Sequence, residues 1–261
     1  MTDDDLRETR MHLSLEGRTT LIAGASSGIG AGFARTIAKA GGRVVLGARR
    51  LERTQVLADE IGERAMAVPL DVTDETSIIA AFDTAEARFG TVHGIVANAG
   101  TATGGHSTDV PAEALSGVLD TNLLGSYLVA REGARRLIAG GSRDRGDGRV
   151  VLIGSITAEQ NGTGDAMYAA TKAGLAHLGR QLAREWVRQG INVNTLQPGW
   201  IPTEINASWF ASERGRGDID RLHRRRLLDA EALDPMLLYL LSDASAQVTG
   251  ATFTIDDGQS L

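Results

Sequence analysis

The chain has 261 residues, no cysteine, 32 glycines and a formal net charge of −6. A length near 250 suits one α/β domain. The lack of cysteine excludes disulfides, thiolate metal sites and a cysteine nucleophile, and the mild acidity argues against a nucleic-acid partner.

Glycine stands at about 12% against an ordinary level of about 7%, beside only 5 prolines. That balance points to tight turns and close backbone approaches. Residues 1–14, MTDDDLRETRMHLS, are acidic and polar. They read as a flexible arm, not a secretory signal. No apolar run approaches the roughly 20 residues that span a bilayer, so the chain reads as soluble and cytoplasmic, with no membrane partner.

Short β-branched runs then alternate with helical patterns. In chain order the spacing predicts strand 19–23, helix 29–40, strand 43–48, helix 51–61, strand 65–70, helix 74–89 and strand 92–97. Helix 112–139, strand 149–154, helix 166–189, strand 191–196, helix 230–242 and strand 251–255 follow. This alternation, with near-continuous apolar strands, predicts a parallel sheet covered by helices on both faces. No linker or repeat divides residues 15–261, which read as one domain. Residues 140–148 read as a polar turn. Residues 200–228 form a longer break in which Trp200, Trp209 and Phe210 stand among charged residues. Apolar anchors on such a segment suit a lid over a greasy ligand; a surface helix or subunit contact is the competing reading.

The first strand runs into Gly24, Ala25, Ser26, Ser27, Gly28, Ile29 and Gly30, and a helix follows. A tight glycine turn entering a helix brings backbone N–H groups close to a pyrophosphate. At the end of the second strand, an NAD site would carry Asp or Glu to meet the ribose 2′-hydroxyl. This chain has Arg49 and Arg50 there. Guanidinium groups at that place suit a 2′-phosphate, which predicts NADP(H) as cofactor. Ser27, before Gly28, supplies no further basic contact.

Tyr168 and Lys172 stand four residues apart in a helical stretch and share one face. An ammonium beside a phenol favours the phenolate, and the expectation is a lowered Tyr168 pKa. Ser155 ends a strand thirteen residues upstream, where an open α/β sheet meets its ligand. There its hydroxyl can hold a carbonyl oxygen while Tyr168 passes a proton. A lone Tyr-x-x-x-Lys spacing is common in helices and carries little by itself.

Taken in order, the motifs GASSGIG (24–30), LDVTD (70–74), ANAG (97–100), DTNLLGSY (120–127), GS (154–155), YAATK (168–172) and PGWIPTE (198–204) resemble the short-chain dehydrogenase/reductase family. The resemblance spans about residues 15–258. It implies a single-domain Rossmann fold with a seven-stranded parallel sheet in the order 3-2-1-4-5-6-7. It also implies catalytic roles for Ser155, Tyr168 and Lys172, with Asn122 anchoring a water that leads to the lysine. Asp71 and Val72 are implied to hold the adenine. Asn98, Ala99 and Gly100 line its ribose, and Lys172 reaches the nicotinamide ribose. Ile201 and Thr203, after the cofactor-lining Pro198–Gly199 turn, are implied to hold the nicotinamide carboxamide. Departures from the family pattern are Ala23, Ala97 and Asp257, the last at a glycine position near a subunit contact. Helices 112–139 and 166–189 are those such proteins pair through, so the expected assembly is a homotetramer, or at least a homodimer.

The five histidines show no ligand spacing, and no metal site is expected. His106, just past the ANAG turn, is a candidate substrate contact, and the basic run 221–226 reads as a solvated lid helix. The implied activity is hydride transfer between NADP(H) and a hydrophobic ketone or secondary alcohol, walled by Trp200, Ile205, Trp209 and Phe210 with few fixed charges. One alternative is 3-oxoacyl-[acyl-carrier-protein] reduction, weakened because Gly146 and Gln189 stand where that type places arginines, although Arg145 and Arg188 adjoin them. The other is an NADP(H)-binding sensor without turnover.

Overall fold

The computed structural model describes residues 13–204 and 206–261; the first twelve residues and Ile205 lie outside the described residues. Seven parallel strands form one sheet in the order β3-β2-β1-β4-β5-β6-β7, as the resemblance implied. They are β1 (Thr19–Ala23), β2 (Arg43–Ala48), β3 (Ala65–Pro69), β4 (Gly94–Ala97), β5 (Gly148–Ile153), β6 (Ile191–Pro198) and β7 (Thr252–Ile255). Strand β1 pairs with β2 through Thr19 and Arg43, and with β4 through Thr20 and Gly94. The chain order reverses at that point. In an open parallel sheet this leaves a crevice beyond the carboxyl ends of the strands.

The strands are apolar on both sides because helices cover both faces. Leu21, Val45, Ile95 and Leu152 pack with Phe82, Val129 and Leu182 on one face. Ile22, Leu46, Val96 and Val151 meet Phe33, Ile37 and Leu237 on the other. The first face is covered by α3 (Glu75–Phe89), α5 (Ser126–Ala139) and α7 (Ala166–Trp186), with α4 (Ala112–Leu119) leading into α5. The second is covered by α1 (Gly28–Lys39), α2 (Leu51–Ile61) and α10 (Asp234–Leu241).

The differences from the predicted elements have local causes. Helix 112–139 is interrupted by a π-helical stretch, Asp120–Gly125, which widens the turn around Asn122. There Gly125 lies so close to Val72 that a methyl group on it would stand 2.6 Å from the valine side chain. The polar turn 140–148 contains one helical turn, α6 (Ser142–Arg145), between left-handed Gly141 and Gly146. Segment 200–228 holds two short helices, α8 (Ala207–Ala211) and α9 (Glu213–Arg221). Helix α9 ends before most of the basic run, whose Arg225 has φ +50°. That run is therefore a turn and not a helix. Arg224 and Arg226 reach the Asp257 carboxylate at 3.1 and 2.7 Å. Asp257 adopts φ +55°, the conformation for which glycine is ordinarily used.

Candidate active site

A cleft of about 2290 Å³ opens at the carboxyl end of the sheet. Its floor is set by the glycine turn. Gly24, at φ +82°, comes so near β4 that a methyl group there would stand 2.7 Å from the Ala99 Cα. A methyl on Gly30 would collide with the Gly24 carbonyl oxygen and stand 2.6 Å from the Asn98 amide nitrogen. Asn98 donates from that nitrogen to the Gly24 oxygen at 2.9 Å, which fixes the turn against β4. Ser26, Ser27, Gly28 and Ile29 line the cleft, whereas Gly30 does not. Gly30 serves the site by letting α1 approach the turn. The free N–H groups that open α1 then face the cleft.

The remaining predicted cofactor positions gather around the same cleft: Arg49 and Arg50, Asp71 and Val72, Asn98, Ala99 and Gly100, and Pro198, Gly199, Ile201 and Thr203. The Asp71 carboxylate accepts from the Thr73 N–H at 3.0 Å and hydroxyl at 2.7 Å. The Thr73 backbone bond, more than the nearby Arg49, holds its pKa below the usual range. Among the described residues Arg49 makes no hydrogen bond or ion pair. Its guanidinium is left to a ligand. The glycine cradle, the helix N-terminus and this cation together fit a nicotinamide dinucleotide.

Ser155, Tyr168 and Lys172 also meet in this cleft. Ser155 follows β5 and caps the short turn Ile156–Ala158, its Oγ accepting from the Thr157 N–H at 3.2 Å. Lys172 is buried and donates to the Ile153 carbonyl at 2.8 Å. Burial lowers its pKa to about 8. Burial also raises the Tyr168 pKa, and the facing Ser155 hydroxyl draws it only part of the way back. The expected lowering of the phenol by the lysine is therefore not what the fold produces, because desolvation outweighs the Ser155 hydrogen bond.

Asn122 is buried, and its amide is spent on the protein. Oδ1 accepts from the Thr101 N–H at 2.8 Å, and Nδ2 donates to the Thr101 carbonyl at 2.9 Å and to Thr171 Oγ1 at 3.3 Å. It ties the π-helical stretch to the loop after Gly100. A methyl on Gly100 would stand 3.6 Å from Asn122 Oδ1 and 3.9 Å from Lys172 Nζ, so both side chains converge on that glycine.

About nine-tenths of the chain lies within the match to a family model described as enoyl-(acyl carrier protein) reductase, which covers residues 24–260. The chain belongs to the short-chain dehydrogenase/reductase family. It is 31% identical over 246 residues to the 3-oxoacyl-[acyl-carrier-protein] reductase FabG of Escherichia coli, covering 94% of this chain and 98% of that one. Two crystal structures of family members are similar throughout. A gluconate 5-dehydrogenase from Burkholderia cenocepacia, in complex with NADP and tartrate, has a TM-score of 0.89 at 31% identity, covering 95% of this chain and 97% of its own. A 3-ketoacyl-(acyl-carrier-protein) reductase from Brucella melitensis, complexed with NADH, has 0.87 at 30% identity, covering 95% and 100%. The oxidoreductase class follows from this membership.

Trp200, Trp209 and Phe210 also line the cleft. The Trp200 and Phe210 rings lie 5.9 Å apart at 42°, while Trp209 is half exposed. Predicted Ile205 lies outside the described residues. The wall is more polar than expected, since Glu159, Gln160, Glu213 and Arg214 share it with His106. These charges come from the loop after Ser155 and from α9, which only the tertiary fold brings over the cleft.

The chain terminus is a component that sequence reasoning missed. Gln259 is buried and accepts from the Trp200 N–H at 2.5 Å, while its own carbonyl accepts from Gln160 at 3.1 Å. No motif marks this residue; its place depends on the tail folding back beside β6. Among the described residues no cluster suited to a metal ion is found, and no helix is long and apolar enough to cross a membrane.

Proposed function

We propose that this protein is an NADPH-dependent carbonyl reductase, equally a secondary-alcohol dehydrogenase in the reverse direction. The observation that carries the reading is the meeting of Ser155, Tyr168 and Lys172 in one cleft with Arg49, which has no partner among the described residues. NADPH, when bound, supplies the hydride that reaches the carbonyl carbon. Ser155 holds the substrate oxygen, and Tyr168, a phenol protonated at neutral pH whose pKa burial raises further, gives that oxygen its proton. Lys172 holds positive charge beside the phenol and the nicotinamide ribose. Asn122, whose side-chain amide is spent on Thr101 and Thr171, sets the backbone at Thr101 that completes this wall, and the second lone pair of its backbone carbonyl is left to anchor a water leading to the lysine.

Asp71 and Val72 hold the adenine in this reading, and Arg49 with Arg50 receives the 2′-phosphate. Gly24, Gly28 and Ile29 supply the phosphate turn. Trp200, Trp209 and Phe210 receive the apolar body of a ketone, leaving its polar substituents toward Glu159 and Gln160. The enzyme works as a homotetramer in the cytoplasm. The exposed Leu119, ending α4, Leu124, in the π-helical stretch that follows it, and Val187, after α7, support association through those helices.

Similarity to the 3-oxoacyl reductases supports a second reading, reduction of a carrier-bound acyl ketone. Against it, Arg145 is spent on Asp147 at 2.7 Å and so is not free for an acidic carrier. Rates with an acyl-carrier substrate and with free hydrophobic ketones, using NADPH, separate the two. Faster turnover of the free ketones supports the first reading, and strict dependence on the carrier overturns it.

A further inference from the structure

Glu204 follows Thr203 on the segment leaving the Pro198–Gly199 turn, and it reaches across the cleft to the end of β2. Its Oε2 accepts from Arg50 at 3.0 Å and its Oε1 from Arg53 at 2.6 Å. The rest of the Arg50 guanidinium is turned onto the phosphate loop. It donates to Ser26 Oγ at 2.9 Å and to Ser27 Oγ at 2.9 Å. One cation at the cofactor's adenosine end is thus shared between a carboxylate and two hydroxyls of the glycine turn. The two arginines hold the Glu204 carboxyl below its usual range, so it is an anion at neutral pH.

We propose that Glu204 sets cofactor selectivity, as a built-in carboxylate that competes with the 2′-phosphate for Arg50. The inference rests on the NADP(H) reading above. A 2′-phosphate seated at Arg49 and Arg50 brings up to two negative charges beside this carboxylate. A cofactor with a free 2′-hydroxyl brings none and leaves the pair intact. Glu204 therefore weakens binding of the phosphorylated cofactor relative to the other. Arg53 limits the penalty, because Glu204 can release Arg50 while keeping a partner. All three side chains are about half exposed, so the effect is modest and screened by salt.

The test is titration of the whole protein with NADPH and with NADH, for the wild type and for Glu204→Gln, Arg53→Gln and Arg49→Gln. Glu204→Gln keeps the size of the side chain and removes its charge. It is expected to tighten NADPH by about two- to five-fold at low salt, with NADH changed by less than that. Arg53→Gln leaves Glu204 only Arg50 and is expected to weaken NADPH selectively. If Glu204→Gln tightens both cofactors equally, or weakens both as loss of a strap across the cleft would, the competition is overturned. Arg49→Gln is the control on the cofactor reading. A selective loss of NADPH supports that reading, so a failure of the Glu204 arm then overturns the competition alone. Equal binding of both cofactors to wild type and Arg49→Gln overturns the reading, and the competition with it.

Discussion

The Lys172 ammonium lies 5.5 Å from the centre of the Tyr168 ring, one helical turn along the same face of α7. Its hydrogen bond to Ile153 at 2.8 Å fastens the helix to the end of β5, next to Ser155. Strand, helix and ammonium thus hold the phenol in place, while burial keeps it protonated.

The first prediction concerns pH. Lys172 titrates near 8 in the folded protein, below the roughly 10.4 of a free lysine. Between those values the unfolded chain binds more protons than the folded one, so this group's contribution to stability rises with pH across that window and is lost as pH falls through about 8. Activity moves the other way. Loss of the ammonium charge above about pH 8 lowers the reductive kcat, and a rate profile measured with saturating cofactor checks this. A profile flat to pH 10 would contradict it.

The glycine turn predicts a contrast between two helical positions. A methyl at Gly30 meets the Gly24 carbonyl and the Asn98 amide, whereas nothing stands within 4 Å of one at Gly32. Gly30→Ala is expected to destabilise the fold by about 1–3 kcal/mol and weaken cofactor binding. Gly32→Ala is expected to stabilise α1 by about 0.5–1 kcal/mol. Thermal melts and cofactor titrations of the two variants check the pair, and equal losses would show that the turn is not packed as described.

Gln259 predicts a kinetic signature at the chain terminus. Its acceptor fixes the Trp200 N–H between Gly199 and Ile201, which line the cleft where the proposed nicotinamide would lie. Gln259→Ala is expected to lower kcat by about ten- to a hundred-fold with little change in cofactor Kd. Gln259→Glu keeps the acceptor but turns a carboxylate toward the Trp200 and Arg226 carbonyls to which the amide nitrogen donates at 3.5 and 3.3 Å, and should recover only a small part of the rate. Parallel loss of cofactor binding in Gln259→Ala would point instead to general damage of the turn.

These cases mark how far the sequence could be read. Strand positions were legible because a doubly covered parallel strand is apolar throughout, and β1, β2 and α2 have the predicted bounds. Ser155, Tyr168 and Lys172 were legible because local spacing and a strand end bring them together. Glu204 and Gln259 were not, since their partners lie 154 and 59 positions away and only tertiary packing joins them. The mixed wall escaped notice for the same reason. The direction of the Tyr168 shift depended on burial, which spacing does not reveal. At Asp257 a left-handed backbone is held by arginines from the basic run, so that departure from glycine became intelligible only with both segments in place.

The central claim is reduction of a carbonyl by NADPH with Tyr168 as proton donor. The most direct measurement is the initial rate of NADPH and NADH oxidation over a panel of hydrophobic ketones, for the wild type and Tyr168→Phe. The account predicts a higher kcat/KM with NADPH. It also predicts a fall of roughly a hundred- to ten-thousand-fold in Tyr168→Phe, with cofactor affinity retained. A preference for NADH, or a Tyr168→Phe enzyme that keeps its rate, would contradict it.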